Sequence, residues 1–206
     1  MAFTGKVRNV NLCGRFYIDE TAEKVFWEIV RDVDRQMKLP TVGEIRPSDC
    51  SLILRGALNQ GIQTEPMNWG FKQVTGSGLI INARAESIMD KPMFRSGILG
   101  YRCVVPASWF YEWNKNKERA TFRSKKNEPL FMAGIYKRYE EGNRFVILTT
   151  AANECMRPVH DRMPVLLGKH EIEDWVFDDS FMKAALKRIP EELVREQEYE
   201  QQTFFV

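Results

Sequence analysis

The sequence predicts an α+β fold in which helices flank a mainly antiparallel β-sheet or barrel-like core. Three observations carry that expectation. Near the start, apolar residues recur at helical spacing over one long segment. From Ser51 to Thr150 the chain breaks into short apolar or alternating runs, separated by glycine, proline, asparagine and charged turns, as strands do. No strand-like run leads into a glycine-rich phosphate loop, which disfavours the nucleotide-binding α/β folds.

Taken in order, "GRFYI" reads as a first strand. It is followed by "DETAEKVFWEIVRDVDRQM", where Ala22, Val25, Phe26, Ile29, Val30, Val33 and Met37 make one helical stripe. Asp19 is its expected N-cap, the first turn is acidic, and Pro40 ends it. "SLILRGAL", "GLIIN", "YRCVVP", "SWFYEW", "PLFMAGIYKRY" and "RFVILTT" are the expected strands. "KHEIEDWVF" and "FMKAALKRI" are expected to be helices.

At 206 residues and 44% hydrophobic, the chain can bury the core of one domain, expected over residues 13–206 behind a twelve-residue N-terminal extension. No apolar run approaches the roughly 18 residues of a membrane span, so the reading is a soluble, cytoplasmic protein with no membrane partner. Cys13, Cys50, Cys103 and Cys155 are far apart with no CxxC pair, so neither a metal nor a disulfide framework is expected, and no cofactor. The net charge of +2 is unevenly placed. Residues 114–126, "NKNKERATFRSKK", carry six basic residues and one acid; residues 190–206 carry five glutamates and one arginine.

His170 reads as surface. His160, in "RPVHDRMPVLL" beside Arg157, Asp161 and Arg162, has the titration range and charged company of a general acid–base, or of a ring that ties down a loop. Glu112 in "PASWFYEW" is flanked by aromatics. Strand alternation puts it on the face of Phe110, opposite Trp109, Tyr111 and Trp113, where desolvation would let it donate as well as accept a proton. "INARAES" presents Asn82, Arg84 and Glu86 to one side: an amide that donates and accepts, a guanidinium able to clamp a phosphate, and a carboxylate.

In this order, "CGRF", "WGF" at Trp69 to Phe71, "NARAES", "RCVVPASWFYEW" and "HDRMPVLL" resemble the SOS response-associated peptidase (SRAP) family of abasic-site processing proteins. The resemblance spans Cys13 to about Leu167. It implies a sensor of abasic sites in single-stranded DNA, acting as a monomer and associated with the nucleoid when bound to damage. The family's cysteine becomes residue one and captures the sugar aldehyde as a thiazolidine. By resemblance, Asn82 orients the amine of Cys13, Glu112 shuttles protons, and His160 serves the sugar hydroxyl or phosphate. Arg15, Arg84 and Arg162 contact DNA, and Trp69 and Phe71 stack on or wedge between bases. An α-amine has a reference pKa about two and a half units below that of lysine, so it is the better free nucleophile at neutral pH.

That chemistry needs residues 1–12 to be gone. Leu12 stands where the family has an initiating methionine, so either translation starts at a leucine-type codon there or the extension is cut off by the protein itself. Two departures from the family stand out. "EIRPSD" around Arg46 and Pro47 replaces an aromatic-Asn pair, and the acidic end replaces a Val-rich one. Two other functions fit the residues: a peptidase with Cys13 as nucleophile and His160 as base, or a non-catalytic single-stranded nucleic-acid-binding domain using the Lys115–Lys126 hairpin.

Overall fold

The computed structural model describes residues 14–30, 42–58 and 61–197. The path begins with β1 (Arg15–Ile18), α1 (Glu20–Ile29), β2 (Gly43–Ile45), β3 (Cys50–Gly56) and β4 (Ile62–Trp69). Three short strands follow, β5 (Phe71–Lys72), β6 (Leu79–Ile80) and β7 (Asn82–Arg84), then α2 (Pro92–Gly100). The long middle comprises β8 (Arg102–Ala107), β9 (Trp109–Trp113), β10 (Arg119–Arg123), β11 (Leu130–Tyr139) and β12 (Gly142–Ala151). It closes with β13 (Arg162–Pro164), β14 (Leu166–Leu167), α3 (Ile172–Phe177), α4 (Asp179–Ala185) and β15 (Val194–Gln197).

Two sheets dominate. The smaller is antiparallel in the order β15-β10-β9-β1-β2. The larger runs β13-β12-β4-β3-β8-β11-β14, with β7 attached to β12. An extra β11–β12 pairing joins β12, β4, β3, β8 and β11 into a ring, which makes it barrel-like. Among the described residues only the β12–β4 and β12–β7 pairings are parallel. The α+β expectation holds.

The barrel strands are apolar on both faces because each face meets a different core. Cys103 and Val105 on β8, Met132 on β11 and Phe145 and Ile147 on β12 pack with Phe16, Phe110 and Phe122 of the smaller sheet. Their alternates Val104, Ala133, Val146 and Leu148 pack with Phe26 of α1, Phe94 and Ile98 of α2, and Trp175 of α3. Side chains alternate across a strand, so a strand sandwiched between two cores reads as an unbroken apolar run.

Asp19 caps α1, accepting the Ala22 backbone N–H at 2.8 Å. The helix stops sooner than its periodicity suggested: Val30 is already extended, and Val33 and Met37 lie outside the described residues. Several elements carry no clear signal in the sequence. β4 contains Pro66, and α2 contains Gly97, onto which Ile135 packs so closely that a Cβ there would lie 2.8 Å from its Cδ1.

Candidate functional site

Strand β9 lies between β1 and β10, so Glu112 is not on an edge. Its alternation is realised: Phe110 and Glu112 are buried at 0% and 2% exposure, whereas Trp109, Tyr111 and Trp113 are half-buried on the other face. Oε2 of Glu112 accepts the Trp113 backbone N–H at 3.3 Å. A carboxyl withdrawn from water in this way is in a setting suited to proton transfer.

Asn82 and Arg84 project from β7 with the small residues Ala83 and Ala85 turned inward. The parallel register places them beside Ile147 and Thr149 of β12. Asn82 Oδ1 is buried, and Arg84 is exposed. Glu86, one step on, is gripped by both terminal nitrogens of Arg162, with Nη2 2.8 Å from Oε2. Burial alone would raise the Glu86 carboxyl; the Arg162 hydrogen bond and charge outweigh it and hold the group below its usual range. Arg162 also donates to the Thr149 carbonyl at 2.7 Å. Its guanidinium is therefore largely committed to protein, and a phosphate would have to compete with Glu86 for it. Arg84 is the more accessible cation of the pair.

His160 sits in the turn between β12 and β13, its side chain 14% exposed. Burial pushes its pKa below the ordinary value; Asp161 opposes that and Arg162 reinforces it. Nδ1 accepts the Arg162 backbone N–H at 3.0 Å and lies 2.9 Å from Asp161 Oδ1. One nitrogen cannot accept from the first and donate to the second at once. Burial favours the neutral ring, with Nδ1 accepting and the proton on Nε2, where it is available to a ligand. Protonation of Nδ1 would exchange the Arg162 N–H for the Asp161 carboxylate.

Arg15, Asn82, Glu112, His160 and Arg162 come from separate parts of the chain, and each has a neighbour in the same apolar core. Phe16 follows Arg15, Ile81 precedes Asn82, Phe110 and Ala120 flank Glu112, Val159 precedes His160 and Met163 follows Arg162. All six apolar neighbours belong to the core between the two sheets. Cys13, two residues before the start of β1 in the sequence, lies outside the described residues. Of the described cysteines, Cys103 is fully buried, which drives its thiol pKa far up, and burial raises that of Cys50 too, so neither is an activated nucleophile.

The base-stacking assignment of Trp69 and Phe71 is corrected. They are 0% and 1% exposed. Trp69 stacks on Phe145 at 6.1 Å and donates its indole N–H to the Ile81 carbonyl, and Phe71 packs on Phe94 and Tyr139. Gly70 between them has φ +106, so the chain bends there and both rings turn into the protein. Half-buried aromatics lie instead on the outward face of β9. Arg15 lies over Trp113 at 5.1 Å and Arg119 over Tyr111 at 5.2 Å, while Trp109 stacks on Tyr17 at 4.5 Å. Arg15 also pairs with Glu44 at 3.4 Å. Arg119 was not among the residues expected from the sequence; its cross-strand pairing with Trp113 requires the sheet register. Beyond the Trp109 end of β9, a cavity of about 370 Å³ is lined by Asp19, Ser108, Trp109, Arg123 and Asn127.

The profile of the SOS response-associated peptidase (SRAP) family matches residues 12–203. The abasic site processing protein YoaM of Bacillus subtilis is 33% identical over 184 aligned residues, covering 80% of this chain and 79% of YoaM. The abasic site processing protein YedK of Escherichia coli is 27% identical over 180, covering 80% and 79%. A crystal structure of a Bacteroides thetaiotaomicron protein superposes with a TM-score of 0.75 at 25% identity, covering 90% of this chain and 91% of that one.

Proposed function

Since the chain belongs to the SOS response-associated peptidase family, we propose that it recognises abasic sites in single-stranded DNA and captures them covalently through Cys13. The observation that carries this reading is Glu112, a carboxyl only 2% exposed on β9, the strand paired with β1, which Cys13 precedes in the sequence. Relatives named for abasic site processing support the substrate.

The free α-amine of Cys13 adds to the C1′ aldehyde of the ring-opened sugar, giving a carbinolamine. Glu112 protonates its hydroxyl, water leaves, and a Schiff base forms. The thiol of the same residue then adds to the imine carbon and its proton passes to the nitrogen, closing a thiazolidine. No lysine carries a second nucleophile in the right place for that step. Asn82 orients the amine. His160, neutral with Nε2–H outward, donates to the sugar hydroxyl or a phosphate oxygen. Arg15 and Arg84 neutralise phosphates, and the half-buried face of β9 supports unstacked bases. The protein acts as a monomer and joins the nucleoid only through damaged DNA.

Cys13 must be the first residue, so residues 1–12 are absent from the reacting form, through initiation at Leu12 or self-cleavage. Protein beginning at Cys13 should give a heat- and detergent-stable adduct with single-stranded DNA bearing an abasic site. Cys13→Ala should give only an imine trappable by borohydride. A stable adduct from Cys13→Ala without reductant would remove the thiol from the mechanism, and an equal adduct from protein that still retains residues 1–12 would remove the amine.

A further inference from the structure

A basic strand and an acidic strand of this chain pair with each other. Strand β15 pairs antiparallel with the outer edge of β10, from Ala120↔Gln197 to Arg123↔Val194. Glu196 takes Nε and Nη2 of Arg123, the former at 2.9 Å, and Glu192 takes Nζ of Lys125 at 2.5 Å. The Lys125 hydrogen bond holds the Glu192 carboxyl below its usual range, and the same bond raises Lys125, so both are charged at neutral pH. Arg123 stands opposite Trp109 in register, on the same outward face as Tyr111, Trp113 and Arg119.

We propose that this β10 edge is a second phosphate-binding surface for single-stranded DNA, and that the acidic C-terminal strand competes with DNA for it. Charge and shape point to that partner. Trp109, Tyr111 and Trp113 succeed one another every second residue, the Tyr111 and Trp113 rings 6.4 Å apart and tilted by 47°. This is a ladder suited to exposed bases and of no use to a duplex, whose bases are already stacked. Cations along one margin of such a ladder track a phosphate backbone. Open volume for an arriving phosphate exists beside Arg123, which lines the 370 Å³ cavity.

The carboxylates can let go without undoing the strand. Backbone pairing holds β15, Leu193 is in the core, and the Asn153 side-chain amide donates to the Glu191 carbonyl at 2.9 Å. The ion pairs themselves are exposed: Arg123 and Glu196 side chains are 38% and 54% accessible, Lys125 and Glu192 55% each. Exposed pairs of this kind are weak and salt-screened, whereas a phosphate can engage a guanidinium bidentately. The acidic strand thus raises the threshold for DNA without abolishing binding, which favours strands already held elsewhere on the protein.

The inference rests on the DNA-binding half of the proposed function and not on Cys13, so it is tested with undamaged single-stranded DNA and the full chain, measuring Kd against NaCl concentration. Glu192→Gln with Glu196→Gln should tighten binding about two- to tenfold at low salt and steepen the log–log salt slope by about 1.4, two phosphates' worth. Arg123→Gln with Lys125→Gln should weaken binding and flatten the slope in the native acidic background, and should cancel that gain when combined. Should the paired glutamine variant lose β15, Glu192→Gln alone, beyond the last registered pair, should steepen the slope by about 0.7. An unchanged affinity and slope, or an equal gain in the fourfold variant, overturns the competition. Failure of the covalent reaction in protein beginning at Cys13 leaves this result standing.

Discussion

Glu112 and His160 illustrate how one side chain's surroundings set its chemistry. Glu112→Gln keeps the shape of a buried group and deletes its proton. Adduct formation should slow by about 10²–10⁴-fold while non-covalent DNA affinity stays near wild type, as read by single-turnover crosslinking and anisotropy. Loss of affinity in step with rate would make Glu112 a packing group. His160 adds a pH signature. Its pKa is depressed in the folded protein by burial, so between that value and about 6.5 the unfolded chain holds more proton than the folded one. The contribution is complete above about pH 6.5 and is lost as pH falls toward the depressed value. Denaturation of His160→Gln should therefore show a weaker acid dependence across that window than wild type. An identical dependence would mean that the ring does not titrate there.

At the scale of the element, β4 and β9 show opposite uses of the same residue type. Trp69 ends β4 inside the core, and Trp113 ends β9 under the guanidinium of Arg15. Trp69→Ala should cost about 3–5 kcal/mol of stability, the usual range for an emptied aromatic core site. Trp113→Ala should leave the denaturation midpoint nearly unmoved and weaken single-stranded DNA binding by about 1–3 kcal/mol, one base's stacking. The reverse pattern would return base contact to the Trp69–Phe71 bend. Strand alternation alone separated Phe110 and Glu112 from their neighbours in the sequence. It could not do so at "WGF", where Gly70's positive φ breaks the period.

Over the whole molecule, the smaller sheet draws strands from the first and last parts of the described chain, with two strands between β1 and β15. A chain lacking residues 190–206 would lose the cover of β10, the buried Leu193, and the carbonyls of Pro190 and Glu191 that accept from Asn153. Asn153 in turn holds the turn leading to His160, its Oδ1 accepting the Met156 N–H at 3.1 Å. That truncation should lower stability by about 2–5 kcal/mol in chemical denaturation and slow crosslinking by loosening His160. Full stability in the truncated protein would confine β15 to an ornament of the sheet.

By itself the sequence determined the fold class, the cap of α1, the family and the faces of the strand bearing Glu112. Each of these depends on local spacing: a period of two or of 3.6, a side chain three residues from a backbone N–H, or motifs in fixed order. Only the tertiary structure decided which aromatics are accessible, that Arg162 is spent on Glu86, and that the basic hairpin lies against the acidic end. The physical reason is the same in each case. Arg162 and Glu86 are 76 residues apart, and Arg123 and Glu196 are 73 apart. No local period carries the strand register that brings such pairs together.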